Sequence, residues 1–271
     1  MEVFFMPLPS VILKMFINDQ YFNHQPAPIS IISTVPSITA LLAYFQLDDK
    51  VPAITSFCVH PPHWHQHKKR IGGTKKLHVD AIIALQPQLI IANKEENVQS
   101  QIETLAQHCN VWLSDVNTFD EGLQMILSIG QLTHCQPQAH HLVTAIQKAF
   151  AENSVTNKPL TDAIYFIWKD PYMSIGGDTF INSMLQKAGF NNMLQQQQRY
   201  PELTIEKLQQ LAPPVVLLSS EPYPFKEKDI AALQPLLPQS KIILVDGEMF
   251  SWYGNHMLHA ANYFKNLQDV L

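Results

Sequence analysis

The sequence predicts an α/β protein with mostly parallel sheets, arranged as two α/β halves on either side of a helical segment. Short apolar runs alternate with segments of helical spacing from residue 29 to about 114, and again from 163 to 267. Between these halves, residues 118–152 keep helical spacing and carry no strand signal. Strands separated by helices are typical of βαβ units, whose strands are parallel.

Both halves alternate predicted strands and helices, and a polar loop at 153–159 precedes the second half. Each predicted strand is a short apolar run, whereas each predicted helix has apolar residues at helical spacing. The predicted strands are 29–34, 51–57, 89–92, 111–114, 163–168, 215–219 and 242–245, and the predicted helices are 38–45, 79–85, 98–108, 180–187, 205–211, 229–236 and 257–267. Ser37 is predicted to cap the first helix, and Pro137 suits the first turn of a helix over 137–151.

These patterns divide the chain into three parts. An N-terminal α/β lobe is predicted over 1–133, with its ordered core starting at about residue 29. A connecting helix is predicted over 134–156, and a C-terminal α/β lobe over 157–271. A chain of 271 residues has the length of one large domain or two medium ones, so two lobes are compatible with its size.

The two halves repeat one local pattern. In each half a proline follows a predicted helix and precedes a buried strand, at Pro87 and at Pro213. A glutamate follows each proline by eight residues, at Glu95 and at Glu221. Ligands of open parallel sheets bind beyond the carboxyl ends of the strands, so both glutamates are predicted to lie at binding edges.

The composition excludes several classes of protein. Apolar residues make up 46% of the chain, which excludes an intrinsically disordered protein. The 18 basic and 23 acidic residues give a net charge of −5 without a basic run, so nucleic acid is not an expected partner. No stretch approaches the ~20 apolar residues that cross a bilayer, so a membrane-spanning protein is not expected.

The cysteines and the N-terminus bear on the compartment. Cys58, Cys109 and Cys135 are an odd number of cysteines without a CxxC pair, which disfavours a disulfide framework. The N-terminus has no basic region followed by a long apolar run, so it does not read as a secretory signal. Both observations slightly favour a cytoplasmic protein.

Aromatic and polar residues are concentrated where the predicted strands end. Aromatic rings provide broad apolar walls, and Tyr and Trp add a hydrogen-bond donor, as a cleft for a bulky amphipathic ligand requires. The alternative for any single ring is that it only covers a sheet edge. The candidate ligand-binding residues are Cys58, His60, Trp64, Gly73, Glu95, Trp168, Tyr172, Glu221, Tyr223, Phe250, Trp252 and Tyr253.

Metal and catalytic chemistry have weaker signals. Four histidines near Cys58 could ligate a transition metal, at His60, His63, His65 and His67. The prolines beside them predict an extended, irregular backbone, so no resident metal site is predicted, while ligation of haem or cobalt by a single histidine stays open. No GxSxG motif occurs, and a pair of glutamates across a cleft keeps a hydrolytic enzyme as an alternative.

Several motifs occur together in an order that points to one family. The stretch from Ile32 to Thr39 (ISTVPSIT) resembles the S-x-x-P-S-x-T-E opening of substrate-binding proteins for cobalamin and iron-siderophore ABC transporters. Ala40 stands where that motif usually has Glu, which is a departure from the pattern. The resemblance covers about residue 29 to the C-terminus and is greatest to the subgroup labelled cobalamin-binding-like or helical-backbone metal receptor. The other stretches that carry it are 57–61, 70–75, 85–97, 211–225 and 245–254.

This resemblance implies a fold and a function. The fold it implies is two three-layer α/β/α lobes joined by a single long helix, with a ligand cleft between the lobes. The function it implies is non-catalytic binding for uptake or delivery, with a corrinoid first, haem or another metal chelate next, and no covalent cofactor. The alternative is an enzyme, a hydrolase or a corrinoid-processing activity, that uses the same cleft.

The resemblance also bears on partners and compartment. An ABC transporter permease is a candidate partner, with Glu96 and Glu248 as candidate contacts, because acids on the lobes of such proteins pair with transporter arginines. We expect a monomer. The family works outside the inner membrane, so the compartment stays open between the cytoplasm and the periplasm or cell envelope.

Overall fold

The computed structural model describes residues 27–153 and 159–269. These residues form two compact units. Unit 1 comprises residues 27–116 and 120–143, and unit 2 comprises residues 117–119 together with the described residues from 144 onwards. Among the described residues, no helix is both long enough and apolar enough to cross a membrane.

Unit 1 is built on a parallel sheet in the order β1-β6-β7, so β6 is the central strand. Two short pairs of strands, β2 with β3 and β4 with β5, lie between β1 and β6 in the sequence. The strands are β1 (Ile31–Ser33), β2 (Ala53–Ile54), β3 (Lys69–Arg70), β4 (Gly72–Gly73), β5 (Lys76–Leu77), β6 (Leu89–Asn93) and β7 (Val111–Ser114). The helices are α1 (Pro36–Tyr44), α2 (Pro62–His67), α3 (Val79–Ala84), α4 (Gln99–Ala106) and α5 (Phe119–Thr133), with a 3₁₀ turn at Asp48–Lys50.

The sheet of unit 1 is buried on both faces. On one face, Ile90 of β6 belongs to an apolar cluster with Ile82 of α3 and Ile102 of α4. The neighbouring strand residues Leu89 and Ile91 point to the other face and are also fully buried. Burial on both faces explains why the strands are continuous apolar runs rather than alternating patterns.

Unit 2 contains a second parallel sheet, in the order β10-β8-β12-β13, so β12 is an inner strand. A short antiparallel pair, β9 with β11, lies outside that sheet. The strands are β8 (Thr161–Phe166), β9 (Tyr172–Met173), β10 (Phe190–Asn192), β11 (Glu202–Leu203), β12 (Val215–Ser219) and β13 (Lys241–Val245). The helices are α6 (Gln136–Glu152), α7 (Phe180–Lys187), α8 (Ile205–Leu211), α9 (Glu227–Leu233), α10 (Gly247–Ser251) and α11 (His256–Asp269). The division between the two units falls inside α6, which begins in unit 1.

Helices cover both faces of the sheet in unit 2. Phe166 of β8 shares an apolar cluster with Leu208 of α8 and Leu233 of α9. On the opposite face, the ring of Tyr165 packs 5.1 Å from Phe250 of α10, and Phe250 packs 4.7 Å from Phe264 of α11. Unit 2 therefore has three layers, and the predicted α/β class with mostly parallel sheets is confirmed.

Two local predictions were wrong, and one strand of the second sheet was missed. Residues 62–67 are helical rather than extended, because Pro62 occupies the first turn of α2, where its missing N–H is not needed. Ser37 does not cap α1, since Val35 is the N-cap and Pro36 takes the first helical position. Strand β10 was missed because its sequence, Phe-Asn-Asn, has little apolar character.

Candidate functional site

The carboxyl ends of β6 and β12 carry the same local arrangement. Glu95 lies two residues beyond Asn93, the last residue of β6, and Glu221 lies two residues beyond Ser219, the last residue of β12. In each case the side chain at the strand end accepts a hydrogen bond from the glutamate N–H. Asn93 Oδ1 lies 2.8 Å from the N of Glu95, and Ser219 Oγ lies 3.3 Å from the N of Glu221. Both glutamates therefore follow the carboxyl end of a central or inner strand.

In unit 1 an amide network fixes the loop that carries Glu95 and Glu96. Asn93 Oδ1 also accepts a bond from the N of Glu96, 3.1 Å away. Asn97 closes this loop, because its Oδ1 accepts from the N of Asn93 and from the hydroxyl of Thr34, at 3.0 and 2.8 Å. The Asn97 amide N–H₂ donates to the carbonyls of Thr34 and Thr74, so the buried amide is fully hydrogen-bonded.

The loop after β2 presents apolar side chains to solvent. Phe57 is 60% exposed and Val59 is 41% exposed, which is unusual for large apolar residues so close together. The Phe57 ring lies over Gly73, where a Cβ atom would come within 2.9 Å of Phe57 Cε2. The absence of a side chain at Gly73 thus allows the Phe57 ring to approach the β4–β5 hairpin closely. The next residue after Val59, His60, is half-buried.

Two predicted site residues of this loop and of α2 are buried. The Cys58 thiol lies 3.1 Å from the Thr55 hydroxyl and 3.2 Å from that of Thr39, and burial raises the pKa of the thiol. The indole N–H of Trp64 donates to Asp48 Oδ1 at 2.5 Å, and the Trp64 side chain is only 1% exposed. Both side chains anchor the segment that presents Phe57, Val59 and His60.

In unit 2 the loops after β8 and β12 form a cluster of aromatic rings. Tyr223 lies in edge-to-face contact with Trp168 and with Phe225, at centroid distances of 5.8 and 4.7 Å. Tyr172 packs on Phe166, the last residue of β8, at 5.2 Å. Trp168 is 41% exposed, and Tyr172 and Tyr223 are partly exposed, so this cluster presents ring surface to solvent.

Beside these rings, Glu221 is held by donors from the segment that follows β13. The Ser251 hydroxyl and the Trp252 indole N–H donate to Glu221 Oε1, at 2.6 and 2.9 Å. The other oxygen, Oε2, accepts no hydrogen bond from the described residues. Burial raises the pKa of Glu221, and the nearby carboxylates of Glu248 and Asp246 raise it further, against the lowering effect of the two donors.

The remaining predicted residues of unit 2 are mostly buried. Phe250 is fully buried in the three-layer core, and Tyr253 packs on Phe180 at 5.6 Å. Glu248 Oε2 lies 3.4 Å from His256 Nε2, and the ring of His256 stacks 4.6 Å from that of Trp252. This unit therefore brings Trp168, Tyr172, Glu221 and Tyr223 to one edge, and Trp252 supports Glu221 there.

Sequence reasoning missed residues that position this site. Asn97 and Ser251 were not predicted, although each hydrogen-bonds beside a predicted glutamate. The exposed Phe57 and Val59 were also missed. The sequence did contain a signal for the two strand ends. Each strand ends in a polar residue, Asn93 or Ser219, and a glutamate follows two residues later.

A comparison of the chain with models of known families identifies its family. Residues 31–236, about three quarters of the chain, match the model of the family described as periplasmic binding protein. The chain belongs to the periplasmic binding protein family. The matched range includes the sheet of unit 1 and strands β8, β10 and β12 of unit 2, so the two glutamate-bearing strand ends lie inside it.

Curated relatives of this periplasmic binding protein share low sequence identity with it over about three quarters of the chain. The ABC transporter substrate-binding lipoprotein YvrC of Bacillus subtilis is 25% identical over 211 residues, which is 74% of this chain and 66% of the lipoprotein. The vitamin B12-binding protein of Photorhabdus laumondii is 24% identical over 212 residues, which is 76% of each chain.

Solved structures have the same fold. The periplasmic vitamin B12 binding protein BtuF of Vibrio cholerae superimposes with a TM-score of 0.77 and 19% identity, covering 90% of this chain and 98% of BtuF. A periplasmic haem-binding protein from Pseudomonas aeruginosa gives a TM-score of 0.76 and 14% identity, covering 89% and 92%. The predicted family and the predicted function class are confirmed, and the chain is a non-catalytic ligand-binding protein rather than an enzyme.

Proposed function

We propose that this periplasmic binding protein binds a corrinoid through the strand-end residues described above. The observation that carries the proposal is the edge of unit 2, where the loop after β12 carries both Glu221, whose Oε2 accepts no hydrogen bond from the described residues, and Tyr223, whose ring contacts the exposed Trp168. Corrinoids combine a broad apolar macrocycle with neutral side-chain amides. The rings of Trp168 and Tyr223 suit the macrocycle, and the Glu221 carboxylate suits an amide N–H₂.

The charges at this edge favour a neutral or cationic ligand over an anionic one. The three segments that form it, 168–173, 219–225 and 245–256, are all described and contain four acidic residues. Lys169 is the single Lys or Arg in these segments, and its ammonium is already paired with Asp229 at 2.7 Å. The propionates of haem and the anionic groups of ferric siderophores would meet like charge here.

Haem is the second candidate, because two phenols, Tyr172 and Tyr223, lie on the same edge. A tyrosine ligand to ferric iron must lose its proton. Burial raises the pKa of Tyr172, and this opposes phenolate formation despite the nearby Lys169 ammonium. The geometry therefore supports a corrinoid better than haem, in agreement with the sequence similarity to a vitamin B12-binding protein.

For unit 1 by itself we propose a separate set of ligand-contacting residues, Phe57, Val59 and His60, on the loop that Cys58 and Trp64 anchor. We further propose an ABC transporter permease as the partner, with Glu96 and Glu248 as contacts, because both acids are partly exposed beside strand ends. Glu96→Lys should leave cobinamide affinity unchanged and abolish stimulation of a reconstituted cobalamin transporter. Unchanged stimulation would contradict this contact.

Titration of the purified protein with dicyanocobinamide, cyanocobalamin and haemin tests the proposed ligand. We expect saturable heat and a shift of the visible spectrum with a corrinoid, at lower concentration than with haemin, and recovery of the corrinoid unaltered. Tyr223→Ala should weaken corrinoid binding about tenfold or more, as loss of a central aromatic contact does. The matched control, Tyr44→Ala, removes an exposed ring on α1 and should leave affinity unchanged. Haemin binding without corrinoid binding would overturn the proposal.

A further inference from the structure

Unit 2 contains an ion pair beside its aromatic cluster, and neither partner is among the predicted ligand-binding residues. Lys169 Nζ lies 2.7 Å from Asp229 Oδ1. The Asp229 side chain is fully buried and that of Lys169 is 22% exposed. The second oxygen, Asp229 Oδ2, accepts a hydrogen bond from the N of Lys226 at 2.9 Å, so the carboxylate also caps the start of α9.

The ion pair joins the two loops that carry the exposed rings. Lys169 directly follows Trp168 in the loop after β8. Asp229 lies in the first turn of α9, which follows the loop that carries Tyr223. The same two loops share one backbone bond, from the N of Tyr223 to the carbonyl of Ile167 at 3.2 Å. Two bonds, the ion pair and this backbone bond, therefore join the loops that carry Trp168 and Tyr223.

A role in capping α9 alone would not use both carboxylate oxygens. The N–H of Lys226 requires only Oδ2, whereas Oδ1 is committed to a cation on another loop. Burial by itself raises the pKa of Asp229, but Lys169 and the Lys226 N–H outweigh it and hold the pKa of the carboxyl below its ordinary value. Loss of Lys169 would leave a buried charge without its cation, which is costly.

We infer that Lys169 and Asp229 are positioning residues that hold the ring of Trp168 against Tyr223 in the geometry that receives the ligand. For its effect on affinity this inference rests on the proposed function. Its effect on the ring does not, because the position of Trp168 can be measured without a ligand.

Acrylamide quenching of tryptophan fluorescence measures that position. Of the four tryptophans, Trp64, Trp112 and Trp252 are buried, so quenching reports mainly on Trp168, and Trp168→Phe gives the baseline. Lys169→Met and Asp229→Asn should both raise the quenching constant. Asp229→Asn keeps the size and the capping oxygen, so it isolates the ion pair if Lys169→Met does not fold. Unchanged quenching in the variant that folds would overturn the inference.

The control is Lys148→Met, which removes an exposed lysine paired with Glu152 on α6. This control should leave quenching unchanged, and an equal rise there would mean general loosening and overturn the inference. In a titration with dicyanocobinamide, Lys169→Met should weaken binding about tenfold, the scale of losing one important contact residue. In a Trp168→Ala background, Lys169→Met should cause little further loss of affinity, because the ring that the lysine positions is absent.

An equal loss of affinity in both backgrounds would overturn the inference, since the pair would then act independently of Trp168. Absence of corrinoid binding by the unmodified protein would instead contradict the proposed function. In that case the quenching measurement still decides whether the pair positions the ring.

Discussion

The strand-end edges of the two units place a glutamate in the same position but hold it with different chemistry. In unit 1, neutral amides and hydroxyls hold the loop, through Asn93, Asn97 and Thr34. In unit 2, the corresponding loops are held by the Lys169–Asp229 ion pair and by donors to the Glu221 carboxylate. Neutral hydrogen bonds keep their geometry over a wide pH range, whereas ionisable groups do not.

This difference has a consequence for the ligand. The loop after β6 is closed by hydrogen bonds of Asn93 and Asn97, which suits a surface that presents Glu96 in a fixed position to a protein partner. The edge of unit 2 keeps an acceptor oxygen and exposed rings, which suits a small molecule. The predictions below test the contrast, beginning with the largest expected effect.

Asn97→Ala should destabilise unit 1 more than any other change proposed for the two edges. Several buried groups lose their hydrogen-bond partner, so we expect a loss of about 3 kcal/mol in the free energy of unfolding. Denaturant titration measures this loss. Asn110→Ala, which removes one bond to the Gln88 carbonyl at an exposed position, should lose less than about 1 kcal/mol. Equal losses would contradict the role of Asn97 as the closing residue of the network.

The glycines at the two edges should differ in their tolerance of a methyl group. A Cβ at Gly247 would overlap Ser219 Oγ and Glu221 Cγ, which are fixed by the core and by hydrogen bonds. We expect Gly247→Ala to lower stability by about 2 kcal/mol. Gly73→Ala meets only the exposed Phe57 ring, which can rotate away, so thermal unfolding should show a loss under about 1 kcal/mol. The reverse order would refute this explanation.

Asp229→Asn should remove an acid-sensitive contribution to the stability of unit 2. Because the folded-state pKa of Asp229 lies below its unfolded value, the stabilisation is present above the unfolded pKa and is lost as pH falls through the folded pKa. At pH 7 we expect the variant to be about 1–2 kcal/mol less stable, a difference that shrinks in acid. Denaturant titrations between pH 7 and pH 3 measure it. A difference that does not depend on pH would contradict the ion-pair account.

Glu221→Gln should have the smallest effect, with the opposite pH dependence. The pKa of Glu221 is raised in the folded state, so its contribution is present below the unfolded pKa and is lost as pH rises through the folded pKa. The variant should match the unmodified protein in acid and exceed its stability by less than about 1 kcal/mol at pH 7. Glu103→Gln on the exposed face of α4 is the control for removal of one negative charge. Lower stability of Glu221→Gln at pH 7 would contradict this account.

The sequence predicted the sheets and the positions of both glutamates because those depend on local signals. Apolar runs bounded by prolines marked β6 and β12, and the common spacing placed Glu95 and Glu221 just beyond them. Helix α2 and strand β10 were missed because their local sequence signals were ambiguous. The prolines before His63 read as helix-breaking, yet one of them starts a helix, and the polar sequence of β10 resembles a loop.

The sequence does not predict which aromatic rings are exposed to solvent and which are buried. Trp64 and Phe250 stand in segments as aromatic as that of Trp168, but packing of neighbouring helices decides their exposure. The ion pair of Lys169 and Asp229 joins residues sixty positions apart, and only the fold brings them together.

Hydrogen–deuterium exchange of the whole protein, with and without saturating dicyanocobinamide, tests the central claim most directly. We predict slower exchange in the segments 57–60, 168–173 and 221–225 when the corrinoid is present, and unchanged exchange in α4 and α8. Protection confined to segments away from these strand ends would contradict the proposed binding edges.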